Sequence, residues 1–388
     1  MSVMAERLSI VVPAYNEEDA IDDILRRCLE ARAPLASRLG LSGVEVIVVN
    51  DGSRDKTLEK AGRWAEARVV SHPVNRGYGA ALMTGFRAAD GELVGFLDAD
   101  GTCDPLAFEG LVKALRDGNA DMAVGLRLHG GSRMPLVRVI GNKFYAALLT
   151  GLTGQRFTDT ASGMRVFKKA LLPRMAPLPT GLDFTPAMTA RVACMGGRIV
   201  ESPIPYAERT GESKLSVIGD GFRFLRSILS IVFAYFPFKV FGPLGAACLA
   251  VAFAYGLGPV RFYLGQGRLQ EDMIYRLLTV LTLGVAGATF LAFGLLAQKA
   301  ADAALGRSGG FFDRPGPRAA LMGAGVASWL AGIALNARTI AEYAATGRIT
   351  LHWSYVLTGS LAVLCGTVLV SLAVALVGFS RLPRPDAS

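Results

Sequence analysis

The sequence predicts a two-part chain: an α/β domain with a mostly parallel sheet and helices on both faces, then an amphipathic helix and about four membrane-spanning helices. Three observations predict it. Short apolar runs alternate with helix-like segments early in the chain, and charge is concentrated before about residue 227. Beyond that point long apolar runs dominate, separated by short charged loops. The 388 residues are 52% hydrophobic, more than a soluble domain of average composition carries. The boundary is therefore a change of solvent, and it divides the chain into residues 1–214, a juxtamembrane segment 215–237, and a membrane part 238–388.

In the first part, Leu8–Val12, Val44–Asn50, Val69–Ser71 and Leu93–Leu97 read as core strands. Helix-like segments, Glu18–Arg32 and Lys56–Ala67, follow the first two. Strand alternating with helix predicts the parallel sheet, and ligands of such sheets sit beyond the carboxyl ends of the strands. In the juxtamembrane segment, Phe222, Leu225, Leu229, Val232 and Phe236 recur at helical spacing, with Arg223 and Arg226 alongside. This pattern fits a helix lying on the inner leaflet, and also a helix buried in the first domain.

Four segments, near 238–258, 274–297, 319–339 and 353–379, stay apolar over the ~20 residues that span a hydrocarbon core. The N-terminus carries no charged-then-apolar leader, since its apolar run ends at Pro13, so the first domain is expected in the cytosol. The cations Lys299, Arg307, Arg314 and Arg318 then fall on the cytosolic side. They outnumber Arg261, Arg268 and Arg276 in one opposite loop and Arg338 and Arg348 in the other, as the positive-inside rule expects.

Composition also excludes. The net charge of +9 comes without a basic block interleaved with aromatics, so a membrane surface or phosphate ligand fits and nucleic acid does not. The five cysteines are widely spaced and form neither a disulfide framework nor a zinc site. Asn75-Arg76-Gly77-Tyr78-Gly79 lacks the third glycine of a dinucleotide fingerprint; it reads as a loop and helix start against a nucleotide.

The unusual residues gather at strand ends. Pro13-Ala14-Tyr15-Asn16-Glu17-Glu18 follows the first strand; taken alone, its last three residues also read as helix caps. Asn50-Asp51-Gly52-Ser53-Arg54-Asp55 ends the second, with Asp51 able to accept hydrogen bonds from a base or ribose and Ser53 or Asp55 able to cap. Phe96-Leu97-Asp98-Ala99-Asp100-Gly101 sets two carboxylates one residue apart as a strand runs out. Alternation aims both to one side, where a hard divalent ion bridging phosphate oxygens relieves their repulsion; a solvated turn is the plainer alternative. Asp104 reads as a cap before Pro105.

Taken in order, IVVPAYNEE, VIVVNDGSRDKT, NRGYGAAL and GFLDADGTCDP resemble glycosyltransferase family 2, and TDTASGMRVFKK and ERTGESKLS resemble its polyprenyl-phosphate glycosyltransferases, over about residues 8–216. The resemblance implies a GT-A nucleotide-sugar-binding domain, Mg²⁺ or Mn²⁺, and inverting transfer of a hexose from a GDP-mannose or UDP-glucose type donor to a polyprenyl phosphate. By motif it places Pro13, Tyr15 and Glu17 in the nucleotide pocket and Val49 and Asp51 at base and ribose. Asp98, Ala99 and Asp100 would hold metal and diphosphate, and Asp159 would stand beside the acceptor. Asp159 also reads as a turn cap or a partner of Arg165. Arg127, Arg209 and Lys214, with Arg133, fall where the family gathers cations for the phosphates.

Asn50, Thr102 and Asp183 depart from the family pattern and leave the donor undetermined. The implied setting is a bacterial or archaeal-type plasma membrane, where a four-helix region can support a homo-oligomer. A processive polysaccharide synthase is the alternative within the class, but Q-x-x-R-W is missing. A non-enzymatic membrane module is the alternative outside it; intact Asp98, Asp100 and Asp159 speak against that.

Overall fold

The computed structural model describes residues 6–127, 136–205, 217–267, 269–304 and 311–381, which divide into two units, Met1–Val232 and Phe233–Ser388. In the first, β1 (Arg7–Ala14), α1 (Ile21–Leu39), β2 (Gly43–Asn50), α2 (Thr57–Ala61), β3 (Arg68–Ser71), α3 (Tyr78–Ala88) and β4 (Leu93–Phe96) alternate as expected. There follow α4 (Phe108–Asp117), β5 (Met122–Leu126), α5 (Leu136–Thr153), β6 (Arg165–Lys168), α6 (Leu172–Met175), α7 (Phe184–Cys194), β7 (Ile199–Pro203) and α8 (Val217–Tyr235).

The seven strands form one sheet in the order β3-β2-β1-β4-β6-β5-β7. β1, β2, β3 and β4 pair in parallel, as do β5 and β7, and β6 runs antiparallel between β4 and β5. Since β6 reverses against both neighbours, β4 and β5 run the same way and their carboxyl ends share one edge.

Strand alternation builds a core on each face. Leu8, Ile10 and Val12 of β1 and Val44, Val46 and Val48 of β2 turn toward α1 and α4, which contribute Ile24, Leu25, Leu111 and Leu115. Val11, Ile47 and Val49 turn the other way, toward α3 and α7. There Phe86 of α3 meets Phe96, Phe167 and Phe184 at centroid separations of 5.6, 5.0 and 6.1 Å. Fully burying each such side chain is worth about 1.5–3 kcal/mol, so this aromatic group pins α3, and with it the loop before α3, to the sheet.

Several boundaries differ from expectation. α1 begins at Ile21 because the Glu17 and Glu18 amides are bonded across to Thr57 and Asp55, and it continues through Pro34 to a left-handed cap at Gly40 because Leu35 and Leu39 are buried. α2 stops at Ala61, before Gly62. β4 ends at Phe96, so Asp98 and Asp100 sit in the turn after the strand and not in its alternation. α8 splits the expected apolar stripe: Phe222 is exposed, Val232 is buried, and Phe236 lies beyond the helix. Its inner face carries Ile228, and Ser227 hydrogen-bonds Asp183 at the start of α7.

The second unit consists of α9 (Pro237–Gln266), α10 (Ile274–Ala304), α11 (Pro315–Thr346) and α12 (Trp353–Arg381). All four are long and apolar enough to cross a membrane, with 30, 31, 32 and 29 residues. At 1.5 Å per residue each measures roughly 45 Å and outreaches the ~30 Å hydrocarbon core. Small residues let the helices approach closely: Gly245 of α9 abuts Gly287 of α10, and Gly332 of α11 abuts Gly359 of α12. The Ser328 hydroxyl donates across to Ala362 O at 2.9 Å.

Candidate active site

The site lies at the carboxyl edge of the sheet and is built from four loops. The first two are laced to each other. Asn16, in a left-handed conformation (φ 50°), donates its amide to Ser53 Oγ at 3.0 Å and accepts from the Arg54 amide at 2.9 Å. The Glu17 amide reaches Thr57 Oγ1 at 2.8 Å, and the Lys56 amide donates to Glu18 Oε2 at 3.0 Å. Asn16, Glu17 and Glu18 thus tie the β1 loop to the β2 loop and do not cap α1 directly. Asp55 accepts from the Thr57 amide and hydroxyl, the capping role expected of it. The lacing holds Pro13, Tyr15 and Glu17 on one side of the edge, with Pro13 buried and the other two half-buried.

Asp51 is placed differently from the expectation. Its carboxylate is 2% exposed and accepts from the Arg76 amide at 2.9 Å and the Gly77 amide at 2.8 Å. His72 Nδ1 lies 2.6 Å away, with Nε2 2.9 Å from Thr84 Oγ1. These partners make Asp51 the anchor of the 75–77 loop, because buried amides without a partner are costly. Strand alternation puts the Val49 side chain into the core beneath α3, so only its backbone faces the edge where the base was expected.

The anchored loop starts α3 and aims Tyr78 at the third loop, where its phenol donates to Asp98 Oδ1 at 2.7 Å. Burial and the Asp98 charge push the Tyr78 phenol well above its ordinary value, so it stays a donor. Asp98 is half-buried, and its Oδ2 lies against Gly163, where a Cβ would overlap it. Asp100 Oδ1 accepts from the Thr102 hydroxyl at 2.7 Å and amide at 3.1 Å. Arg27 of α1 donates to Gly101 O and Cys103 O, clamping the turn from behind, and Asp104 caps the next turn through the Leu106 amide.

Among the described residues no three His, Cys, Asp or Glu side chains converge on one point. Asp98 and Asp100, two residues apart in the turn after β4, are the hard oxygen donors at this edge. That donor set suits Mg²⁺ or Mn²⁺ shared with phosphate oxygens.

The fourth loop holds Asp159, which is 1% exposed. Arg127, just past β5, grips it through Nε at 2.8 Å and Nη2 at 2.9 Å, and Asn142 Nδ2 donates at 2.9 Å. Burial opposes the charge, but Arg127, Asn142 and the Ala161 amide outweigh it and hold the carboxyl below its ordinary value. Asp159 is thus a weak base and a strong orienter of the Arg127 guanidinium, and its partner is Arg127 and not Arg165. Arg133, Arg209 and Lys214 lie outside the described residues. Asp183, one of the departures from the family pattern, is buried and accepts a hydrogen bond from Ser227.

Sequence reasoning missed two residues. Tyr78 sat in a motif read only for its glycines, and Arg165 was considered only as a partner for Asp159. Arg165 is fully buried, lowered by burial to about 10, and lies within electrostatic reach of Asp159, Tyr78, Arg127 and Asp98.

The comparisons with known proteins follow this geometry. The model of Glycosyl transferase family 2 matches residues 9–175, which contain all four loops. The low-salt glycan biosynthesis hexosyltransferase Agl6 of Haloferax volcanii is 34% identical over 232 residues, 59% of this chain and 54% of the relative. The chain thus spans about half the length of that protein. A dolichyl-phosphate hexose transferase of the same organism is 34% identical over 229 residues, 58% of this chain and 93% of its own. An undecaprenyl-phosphate 4-deoxy-4-formamido-L-arabinose transferase of Proteus mirabilis is 28% identical over 304 residues, 75% of this chain and 87% of the relative. An alignment of 304 residues is longer than the first unit, Met1–Val232, and so runs into the helical one. With the paired carboxylates, the laced loops and the Arg127–Asp159 pair all on matched sequence, the chain belongs to glycosyl transferase family 2.

Proposed function

We propose that the protein transfers a hexose from a nucleotide-sugar to a polyprenyl phosphate at the cytosolic face of a membrane, inverting the anomeric carbon. The observation that carries this reading is the pairing of two different carboxylate sites at one sheet edge. Asp98 and Asp100 offer ligands for a diphosphate-bound metal, and the Arg127–Asp159 pair offers an oriented guanidinium for a second phosphate. Two relatives named for transfer to dolichyl phosphate and undecaprenyl phosphate support the acceptor class.

The divalent ion that Asp98 and Asp100 would hold supplies charge neutralisation on the departing nucleoside diphosphate. The chain's own groups do the rest. The loop anchored by Asp51 and the laced β1 and β2 loops form the nucleotide pocket, with Tyr15 and Glu17 on its wall. Tyr78 aims Asp98 by donating to it. Arg127 binds the acceptor phosphate and turns one oxygen toward the anomeric carbon. A phosphate monoester is already largely ionised at neutral pH, so Asp159 need not remove a proton; it orients Arg127.

The four apolar helices tether the domain to the bilayer in which the acceptor's isoprenoid tail resides, converting a search in three dimensions into one along a surface. The test is to supply full-length protein in lipid nanodiscs with Mn²⁺, a polyprenyl phosphate and, separately, radiolabelled UDP-glucose, GDP-mannose and UDP-N-acetylglucosamine. Label moving into the organic phase from one donor is expected. Label that stays aqueous with all three, while nucleotide is still released, would assign hydrolysis or another acceptor.

A further inference from the structure

Arg165 opens β6, opposite Phe96 of β4 on one side and Val124 of β5 on the other. It therefore stands between the turn that carries Asp98 and the strand that leads to Arg127. Its Nε donates to Ser162 O at 3.1 Å, Nη2 to Thr160 O at 2.8 Å and Nη1 to Thr189 Oγ1 at 2.8 Å. All three acceptors are neutral, and among the described residues this guanidinium forms no ion pair. A buried charge held only by neutral oxygens is expensive; the nearby Asp159 and Asp98 carboxylates favour it, and burial and Arg127 oppose it.

The two gripped carbonyls belong to the segment that joins both halves of the site. At one end Asp159 holds Arg127. At the other, Gly163 lies so close to Asp98 Oδ2 that no side chain fits between them. A shift of this segment would move the acceptor-side pair and the metal-side carboxylate relative to each other. Five guanidinium donors in a rigid fork are suited to hold such a segment, since they fix direction as well as distance.

We infer that Arg165 is a positioning residue: by gripping Thr160 O and Ser162 O it fixes the 159–163 segment, and so sets the spacing between the donor-side Asp98 and the acceptor-side Asp159–Arg127 pair. It touches neither substrate. The inference rests on the proposed transfer to a polyprenyl phosphate and adds to it a residue that aligns the two substrates without binding them.

Thr189 on α7 gives access to this role without removing the buried charge. Thr189→Val keeps the shape and takes away the Nη1 acceptor, Thr189→Ser restores it, and Arg165→Lys keeps the charge but loses the fork. Each variant is compared with wild type as full-length protein in nanodiscs. The readouts are kcat, KM for donor and lipid, and binding of Mn²⁺ with UDP or GDP followed by the Mn²⁺ electron paramagnetic resonance signal. Misalignment of bound substrates costs rate and spares binding, so kcat of Thr189→Val is expected to fall about tenfold and that of Arg165→Lys about 100-fold. Both KM values and Mn²⁺·nucleotide affinity should stay within about twofold in Thr189→Val, and Thr189→Ser should recover kcat.

Unchanged kcat in Thr189→Val, or failure of Thr189→Ser to recover it, would overturn the inference. So would a loss of Mn²⁺·nucleotide binding sites in proportion to kcat, which would reduce the cluster to packing. The proposed function is read separately in the wild type: if that protein binds Mn²⁺ with nucleotide yet labels no lipid, the transfer reading fails, and this inference with it.

Discussion

The turn after β4 and the loop before β6 both present aspartate at the same sheet edge, yet the two regions treat the carboxylate in opposite ways. Asp98 is half-buried and takes a hydrogen bond from the Tyr78 phenol, and Asp100 takes its bonds from Thr102. Asp159 is sealed from solvent and locked in a two-point pair with Arg127. Hydroxyl donors aim the Asp98 and Asp100 carboxylates. A bidentate guanidinium consumes the charge and gains an oriented cation in exchange. The residue type is shared; a phenol and a threonine hydroxyl meet the first two carboxylates, and a guanidinium meets the third.

Substitutions should separate the two regions, and the largest effect belongs to the open one. Asp100→Asn should lower kcat by about 10³-fold, as loss of a metal-held charge at a leaving group does, with Tm within a degree or two of wild type. A variant that turned over normally would break the metal assignment. Gly163→Ala comes next: the added methyl displaces Asp98 Oδ2, and turnover should fall about 100-fold while lipid KM changes little.

Asp159→Asn should show the reverse balance. It leaves the Arg127 guanidinium, 13% exposed, without its countercharge, at a stability cost of about 2–4 kcal/mol in denaturant unfolding. Its pH dependence has a defined sign. The folded Asp159 carboxyl titrates below the ~3.9 of an unfolded aspartate, so its stabilisation is complete above that value and fades as pH falls through the folded value. The Tm gap between wild type and Asp159→Asn should therefore be constant at neutral pH and close below about pH 4. The smallest effect is expected from Lys214→Ala, a severalfold rise in lipid KM with donor KM unchanged, one cation among several at the acceptor end.

How much of this was legible in the sequence follows the same physics. β1, β2 and β3 and the four long helices were readable to within a few residues, except at the helix ends, because each carries its own apolar period or run. The first two loops were legible as turns, but their lacing was not: the bond from Glu17 to Thr57 joins residues 40 apart. β6, four residues long and reversed, escaped because Arg165-Val-Phe-Lys has too little alternation to stand out and opens on a charge that is buried. α5 escaped as well, since its 18 residues mix apolar and small side chains without a clean stripe.

Asp98 and Asp100 stood out by their spacing at a strand end, Asp159 and Arg127 entered through family resemblance, and the structure supplies the hydrogen-bond partners of each. Asp51 shows the limit of that route. A motif position expected at base and ribose is held by the Arg76 and Gly77 amides and His72, partners 21 to 26 residues away that no local pattern announces.

The central claim is that one hexose passes to a lipid that already carries its phosphate. The mass of the lipid product tests it most directly. Polyprenyl phosphate is incubated with the full-length protein, Mn²⁺ and the donor that labels lipid, and the organic phase is weighed by mass spectrometry. The account predicts the acceptor plus a single hexosyl residue, with one phosphorus per lipid. A product with two phosphorus atoms would mean transfer of a sugar phosphate, and a ladder of added hexoses would mean processive synthesis; either would contradict it.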